Sequence, residues 1–424
     1  MFTEQDNEDL TRVGPGTLMG DLMRRYWMPF LLSEELPEPD CPPMRTRLLG
    51  EDLIAFRDSN GKVGLLDRYC PHRRVDLFFG RNEECGLRCV YHGWKFDVDG
   101  NCLDMPAEPI NSPLREEVKI KSYPAVDWGG VIWAYMGPKE HMPASPPELE
   151  WGLVPADHRH VGKRLQQNNF AQGVEGGIDS SHISILHSML DPEKARLPWK
   201  ERLRGLGDYL ASDTAPRFFI RPTDYGMRIG ARRVASESEY YWRVTQFLLP
   251  FYTMVARDDE QSPILGHAWT PIDDHNTWTF TMWWNPARPL GERGVDWDQS
   301  DVNVPVAKDG SFQPLNNQSN NYGIDRQVQR LLNQTGIEGI GLQDSAIQET
   351  MGPIVDRSRE TLGSGDAAIV SFRKMLLAQA RRLRETGELP LPNQQHLYRV
   401  RSAAIILPRE VDFEQGASKR LVAV

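Results

Sequence analysis

The 424-residue sequence predicts an α+β chain in two parts. A small antiparallel β domain is expected over residues 27–136. A larger domain, built from 1–26 and 137–424, is expected to hold an antiparallel sheet flanked by helices. Two observations predict this. Short β-type runs separated by turn signals crowd the stretch from Trp27 to Met136. Beyond it, longer strand-like runs are followed by helical patterns, which is the order of an α+β domain. Hydrophobic residues at 40% and charged residues at 25% are ordinary for a globular chain and exclude wholesale disorder.

Along the chain, Thr17 to Arg25 has apolar residues at roughly helical spacing and reads as a short helical lead-in. The β-type runs are 45–49, 53–56, 63–66 and 130–136, broken by 35–40, Asp58-Ser-Asn-Gly and Asp99-Gly-Asn. The proline-rich segment 137–147 reads as a linker. A helix is expected around 170–190, then strands at 240–249 and 277–284. Asn316 to Asn333 looks loop-rich. Helical patterns run from Gln343 to Glu385 and end in a basic amphipathic helix over 371–384.

A net charge of −10 argues against nucleic acid as a main partner. No run approaches the roughly 20 apolar residues that cross a bilayer, so no membrane partner is expected. The opening MFTEQDNEDLTRVG lacks the basic and apolar regions of a signal peptide, and a cytoplasmic location follows as an expectation. Five cysteines are too few, and odd in number, for a disulfide framework. Four of them fall between Cys70 and Cys102, where metal ligation is the better reading; Cys41, Cys85 and Cys102 read as ordinary side chains.

Cys70-Pro-His72 and Cys89-Val-Tyr-His92 place two Cys/His pairs sixteen residues apart. Two thiolates and two imidazoles suit tetrahedral zinc, or a [2Fe–2S] cluster with cysteines on one iron and histidines on the other. Classical zinc fingers keep like ligands together, whereas each half here carries one of each. Gly93 permits a tight turn, and Trp94 can limit solvent access.

Downstream lies Glu175-Gly-Gly-Ile-Asp179-Ser-Ser-His182, with His187 five residues further. Two neutral imidazoles and a carboxylate make the facial triad of non-haem Fe(II) oxygenases. Residues five apart on a regular helix stand about 140° around its axis, so His182 and His187 need the helix to end or distort, and Gly176-Gly177 makes that plausible. Asp179 is a natural partner for His182 at three residues' distance. Spacing leaves the third ligand open among Asp344, Glu349, Asp356, Glu360 and Asp366.

At these residues the chain resembles the Rieske non-haem iron ring-hydroxylating oxygenases. The Cys-Pro-His and Tyr-His-Gly-Trp-Lys contexts carry the likeness, together with the Asp179/His182/His187 spacing. It is strongest to the oxygenase components of the phthalate 4,5-dioxygenase-like branch. The resemblance runs from Arg12-Val-Gly-Pro-Gly-Thr17 through 34–40 and 80–84 to the C-terminal helices.

The resemblance implies a [2Fe–2S] Rieske cluster on Cys70, His72, Cys89 and His92. It implies a mononuclear non-haem Fe(II) on His182, His187 and Asp344, with Asp179 linking toward the cluster histidine of a neighbouring subunit. It also implies a homotrimer or stacked hexamer served by a separate flavin/iron–sulfur reductase. The chain has no glycine-rich dinucleotide fingerprint of its own, which accords with that. The implied reaction is hydroxylation of an aromatic carboxylate of the phthalate type. The alternative is an O-demethylase or diaryl-ether-cleaving oxygenase.

An anionic substrate calls for an arginine fork. Arg243 is the candidate, with Arg202 and Arg204 behind it. Trp242, Phe247, Phe251, Trp283 and Trp284 are candidates for an apolar pocket wall, with most of them expected to be core.

Overall fold

The computed structural model describes residues 2–190, 207–256, 263–291, 304–389, 391 and 393–423. It divides into two compact units: Val13–Pro146, and Met1–Arg12 with Pro147–Val424. The division falls outside the 27 and 136 that strand content suggests, because both flanks fold with the small unit. The helix Leu18–Met23 buries Leu18, Met19, Leu22 and Met23. Just beyond it, Arg24 pairs with Glu51 at 2.9 Å and the Trp27 indole donates to the Pro143 carbonyl at 3.0 Å.

The small unit holds one three-stranded and two four-stranded sheets, all antiparallel. Its core gathers Ile54, Phe56, Leu66, Leu77, Leu87, Trp94, Phe96 and Ile120 around two cysteines, Cys70 and Cys89.

The larger unit is organised by one eight-stranded antiparallel sheet. Its strands are β1 (Arg159–Gln166), β2 (Arg217–Thr223), β3 (Gly226–Val234), β4 (Glu239–Leu248), β5 (Tyr252–Val255), β6 (Ile264–Pro271), β7 (Thr277–Trp284) and β8 (Ala403–Pro408). The order is β1-β7-β6-β5-β4-β3-β2, with β8 also pairing β4. Among the helices of this unit are α1 (Phe170–Ile178), α2 (Ile183–Leu186), α3 (Ile340–Thr350) and α4 (Ala367–Thr386).

Small residues let α1 press onto the sheet. A Cβ on Gly173 would meet the Trp269 ring at 2.3 Å, and one on Gly177 would meet the Thr253 hydroxyl at 2.7 Å. A Cβ on Gly176 would meet the Gln348 amide of α3 at 2.1 Å. These glycines serve close approach, and the helix ends one residue after Gly177, at Ile178, as the histidine spacing requires. Asn169 caps the helix through Ala171 N, and its amide also holds the carbonyls of Thr11 and Asp274.

The opposite side of α1 carries a buried ion network. Glu175 accepts from Arg357 at 3.0 Å and from Arg373 at 2.8 Å, and Arg373 also pairs with Glu360 at 2.5 Å. Arg357 reaches Asn7 near the N-terminus at 3.0 Å. Among the described residues no helix is long and apolar enough to cross a membrane.

Removing one partner of a buried pair strands the other charge, which costs several kcal/mol. Glu175→Leu is expected to lower the unfolding free energy of the larger unit by about 3 kcal/mol. Denaturant titration checks this; a loss under about 1 kcal/mol, the ceiling for a surface pair, would deny the network its role.

Candidate metal centres

The first cluster of donors is built by two turns of the same design. In one, Arg74 N donates to Cys70 O at 2.9 Å and Cys70 N to Val75 O at 2.9 Å. In the other, Gly93 N donates to Cys89 O at 3.0 Å and Cys89 N to Trp94 O at 2.8 Å. Each turn closes on a residue in the left-handed region, Arg74 at φ 60° and Gly93 at φ 78°. Gly93 has to be small as well, since a Cβ there would meet Pro106 at 2.4 Å. Arg74 pays for a strained φ with a side chain that reaches Asp67 at 3.4 Å and lies over the Tyr69 ring.

The two cysteines face the apolar core and the two histidines lie outward of them. The His72 and His92 rings stand 4.4 Å apart, and Trp94 stacks on His72 at 4.5 Å. Hydrogen bonding to the Cys70 thiol lowers Cys89 to about 6, while the same contact and burial push Cys70 up. Burial, with the neighbouring His72 and Arg73 charges, lowers His92 and favours its neutral ring. Its Nδ1 is buried without a hydrogen-bond partner. Two sulfurs held together and an orphaned imidazole nitrogen fit a cluster held by two cysteines and two histidines. Cys41, Cys85 and Cys102 are free thiols.

The second group lies in the larger unit. The helix expected around 170–190 stops at Ile178, with Asp179 in extended conformation as its C-cap. It restarts as the single turn α2, with His182 just before it and His187 just after it. Histidines five residues apart thereby face each other, their ring centroids 5.2 Å apart. Asp344 on α3 completes the group. Its Oδ1 lies 3.5 Å from His182 Nε2 and 3.2 Å from His187 Nε2. One donor atom from each of the three residues falls within 4.8 Å of the others.

The far nitrogens of both rings are engaged. His182 Nδ1 lies 3.1 Å from Asp179 Oδ2, and His187 Nδ1 lies 2.7 Å from Gln343 Oε1. The Asp179 Oδ1 accepts from Ser181 N at 2.7 Å. Gln343 in turn donates to the Ile337 carbonyl at 2.9 Å. Each Nδ1 is thus held as a donor, and Nε2, the nitrogen beside Asp344, is the one that would lose its proton to a metal.

Burial works against charging His182, but Asp179 and Asp344 outweigh it and raise the ring to about 10. The two rings hold Asp344 far below the ordinary carboxylate range despite burial. A site that binds a proton so firmly is one that a cation can occupy in its place.

The other carboxylates left open by spacing have different work. Glu349 accepts from the Tyr322 hydroxyl and Gln167 N, and Glu360 pairs with Arg373. Asp356 and Asp366 bond local backbone groups at Ser358 and Gly363.

Arg243 lies buried on β4. Its charge, after burial, helps lower Arg233 to about 10. Arg202 and Arg204 lie outside the described residues. Of the aromatic wall candidates, Trp242 packs instead with Phe219 and Phe413, and Trp284 donates to Glu150 at 2.9 Å. Those two occupy the other parity of their strands from Phe247 and Trp283, so a period of two places them on the opposite face. Sequence reasoning missed Gln343, which carries no spacing signal.

Comparison with known proteins accords with both centres. Residues 26–124 match the Rieske [2Fe-2S] domain, and residues 134–422 match the family described as LigXa C-terminal domain like. The chain is 40% identical to the phthalate 4,5-dioxygenase oxygenase subunit of Pseudomonas putida, covering 100% of this chain and 97% of that one. It is 36% identical to the 3-chlorobenzoate-3,4-dioxygenase oxygenase subunit of Comamonas testosteroni, over 99% of each. Among solved structures, the terminal oxygenase of carbazole 1,9a-dioxygenase from Novosphingobium sp. KA1 shares the fold. Its TM-score is 0.59 at 18% identity, covering 90% of this chain and 96% of that one.

The chain belongs to the Rieske non-haem iron oxygenases. It is an oxidoreductase of that family, with a [2Fe–2S] cluster and a mononuclear non-haem iron as its cofactors.

Removing a group that orients a metal-binding histidine typically costs 10–100-fold in metal affinity. Gln343→Leu is therefore expected to weaken ferrous-ion binding about 10–100-fold in a chelator competition, while the visible absorption of the cluster stays unchanged. Unaltered iron affinity would remove Gln343 from the site.

Proposed function

We propose that this chain is a terminal oxygenase component that hydroxylates an aromatic carboxylate of the phthalate type, an early step in aromatic catabolism. The carrying observation is the meeting of His182, His187 and Asp344, although His187 and Asp344 stand 157 positions apart in sequence. On this reading Cys70 and Cys89 hold the cluster from the core side and His72 and His92 from the outer side. His182, His187 and Asp344 hold the mononuclear iron and leave the rest of its surroundings to dioxygen and substrate. When bound, the cluster supplies electrons singly and the ferrous centre supplies the place where dioxygen is reduced.

The residues do the rest. Gln343 keeps the proton of His187 at Nδ1, and Asp179 does so for His182. The group is only partly buried, so on this reading bound substrate completes the exclusion of water and limits idle consumption of reducing power. Asp179 is also assigned the link toward the cluster histidines of a neighbouring subunit, in a homotrimer or stacked hexamer. What supports this is its place as first residue of the four-residue break, 179–182, that ends α1, with its carboxylate on the His182 ring. A separate flavin/iron–sulfur reductase fed by NAD(P)H supplies the electrons. Cys41, Cys85 and Cys102, the cysteines outside the cluster, are free thiols, which accords with a reducing, cytoplasmic setting. Names of the relatives support the substrate class, since phthalate and 3-chlorobenzoate are both aromatic acids.

The direct experiment supplies reductase, NADH and labelled dioxygen with a panel of aromatic acids and aryl ethers, and reads products by mass. Label in a hydroxylated acid is the expected result, and label only in water or formaldehyde would refute it. His182→Ala is expected to abolish product while the cluster spectrum persists; loss of both signals would contradict two separate centres. Asp179→Asn is expected to slow reoxidation of the reduced cluster in a single turnover by at least about tenfold, the loss reported for such orienting partners, with substrate affinity little changed. Near-normal reoxidation would contradict its linking role.

A further inference from the structure

The sheet face that α1 covers carries a cation that the two metal centres do not use. Directly opposed residues of neighbouring strands share a face. Thr253, His267, Thr281 and Gly162 form one such row across β5, β6, β7 and β1. Arg164, two residues beyond Gly162, points the same way. This is the face on which α1 rests through Gly177 against Thr253, and α3 through Gln166 and Gln348 at 2.6 Å. At Gly162 the packing opens, and an added Cβ would meet nothing within 4 Å.

Arg164 is 5% exposed. Among the described residues its guanidinium makes one hydrogen bond, from Nη1 to Thr281 Oγ1 at 3.2 Å, and its Nε is buried without a partner. No described carboxylate pairs with it. The two whose charge it feels, Asp344 and Glu349, are committed elsewhere, Asp344 to the histidines and Glu349 to Tyr322 and Gln167. Burial lowers Arg164 to about 10. Holding a divalent metal consumes the charge of Asp344 and leaves this region more positive still. A buried guanidinium with no counter-charge is costly to keep, and the edge formed by Nε and Nη2 is the fork that matches a carboxylate.

The neighbours complete the arrangement. Thr281, accepting from Arg164, turns its hydrogen toward His267 Nδ1 at 3.3 Å. That leaves His267 with its proton on Nε2 as a further donor. Burial and the Arg164 charge lower His267 to about 3, so the ring stays neutral.

We propose that Arg164, oriented by Thr281 and seconded by His267, is the specificity-determining residue that takes the carboxylate of the aromatic substrate. The inference rests on the aromatic-acid reading above and assigns the recognising group within it. It differs from the role expected for Arg243. That residue sits on β4, four strand positions from β1, or about 19 Å along the sheet at about 4.8 Å per strand.

The test measures binding of phthalate and of its neutral analogue phthalamide by calorimetry, under anaerobic conditions, on the iron-loaded oxygenase. Arg164→Met, Arg164→Lys and Arg243→Met are compared with the unaltered protein. Arg164→Met is expected to raise the Kd for phthalate about 10- to 100-fold, the range for hydrogen bonds to charged groups, and to leave that for phthalamide within about threefold. The thermal midpoint should not fall, because the substitution removes an uncompensated buried charge. Arg164→Lys should restore part of the phthalate affinity.

Retention of the full preference for phthalate in Arg164→Met, or its loss in Arg243→Met alone, would overturn the assignment and leave the aromatic-acid reading standing. Equal binding of acid and amide by the unaltered protein would instead overturn the aromatic-acid reading itself. Should Arg164→Met not fold, Arg164→Lys decides: unchanged phthalate affinity there overturns the proposal.

Discussion

Two histidines five residues apart meet one distant carboxylate here because the helix before them stops at Ile178. A continuous helix would have sent the rings in directions about 140° apart. The stop is made by Asp179, whose extended backbone ends α1 and whose carboxylate takes Ser181 N and the His182 ring. One residue thus terminates the helix, starts the next turn and fixes a ring tautomer. Everything proposed for dioxygen chemistry depends on that short break.

The break is useful only if its surroundings do not move. On the sheet side, α1 lies flush because Gly173 and Gly177 allow ring and hydroxyl contacts that a methyl group would prevent. On the other side, Glu175 is clamped by Arg357 and Arg373. A helix held from both faces delivers its C-terminus to a fixed point. The small unit solves its own problem differently. Two five-residue turns of identical hydrogen bonding present sulfur to the core and imidazole outward. A buried pair of sulfurs and a less buried pair of imidazoles, His72 exposed and His92 partly so, give a centre that is insulated on one side and approachable for electron transfer on the other.

Legibility followed the range over which each signal acts. The four cluster residues were readable as a set because both turns are local, and each ligand pair is fixed by two or three intervening residues. Strand-rich and helix-rich regions were readable because hydrophobic period and turn residues act over a few positions. Among the aromatic candidates, Trp242 and Trp284 proved to be core; strand runs that are apolar on both faces lose the alternation that would have told them apart from wall residues. The flanks 13–26 and 137–146 were assigned to the other unit because neither contains strand-like texture. Contacts such as Arg24 with Glu51 decided where they belong.

By itself the sequence determined the kinds of chemistry present, namely paired cysteines and histidines, a His/His/Asp set, and an acidic chain of α+β texture. It did so because ligand types and short spacings survive without coordinates. The tertiary structure decided which of five carboxylates stands beside the histidines and which glutamine supports them. It also decided that Arg164 lies buried with no carboxylate partner among the described residues. Those outcomes turn on contacts between β1, β6, β7, α1 and α3, whose residues lie up to roughly 180 positions apart. At such separations only packing and pairing of the sheet bring side chains together.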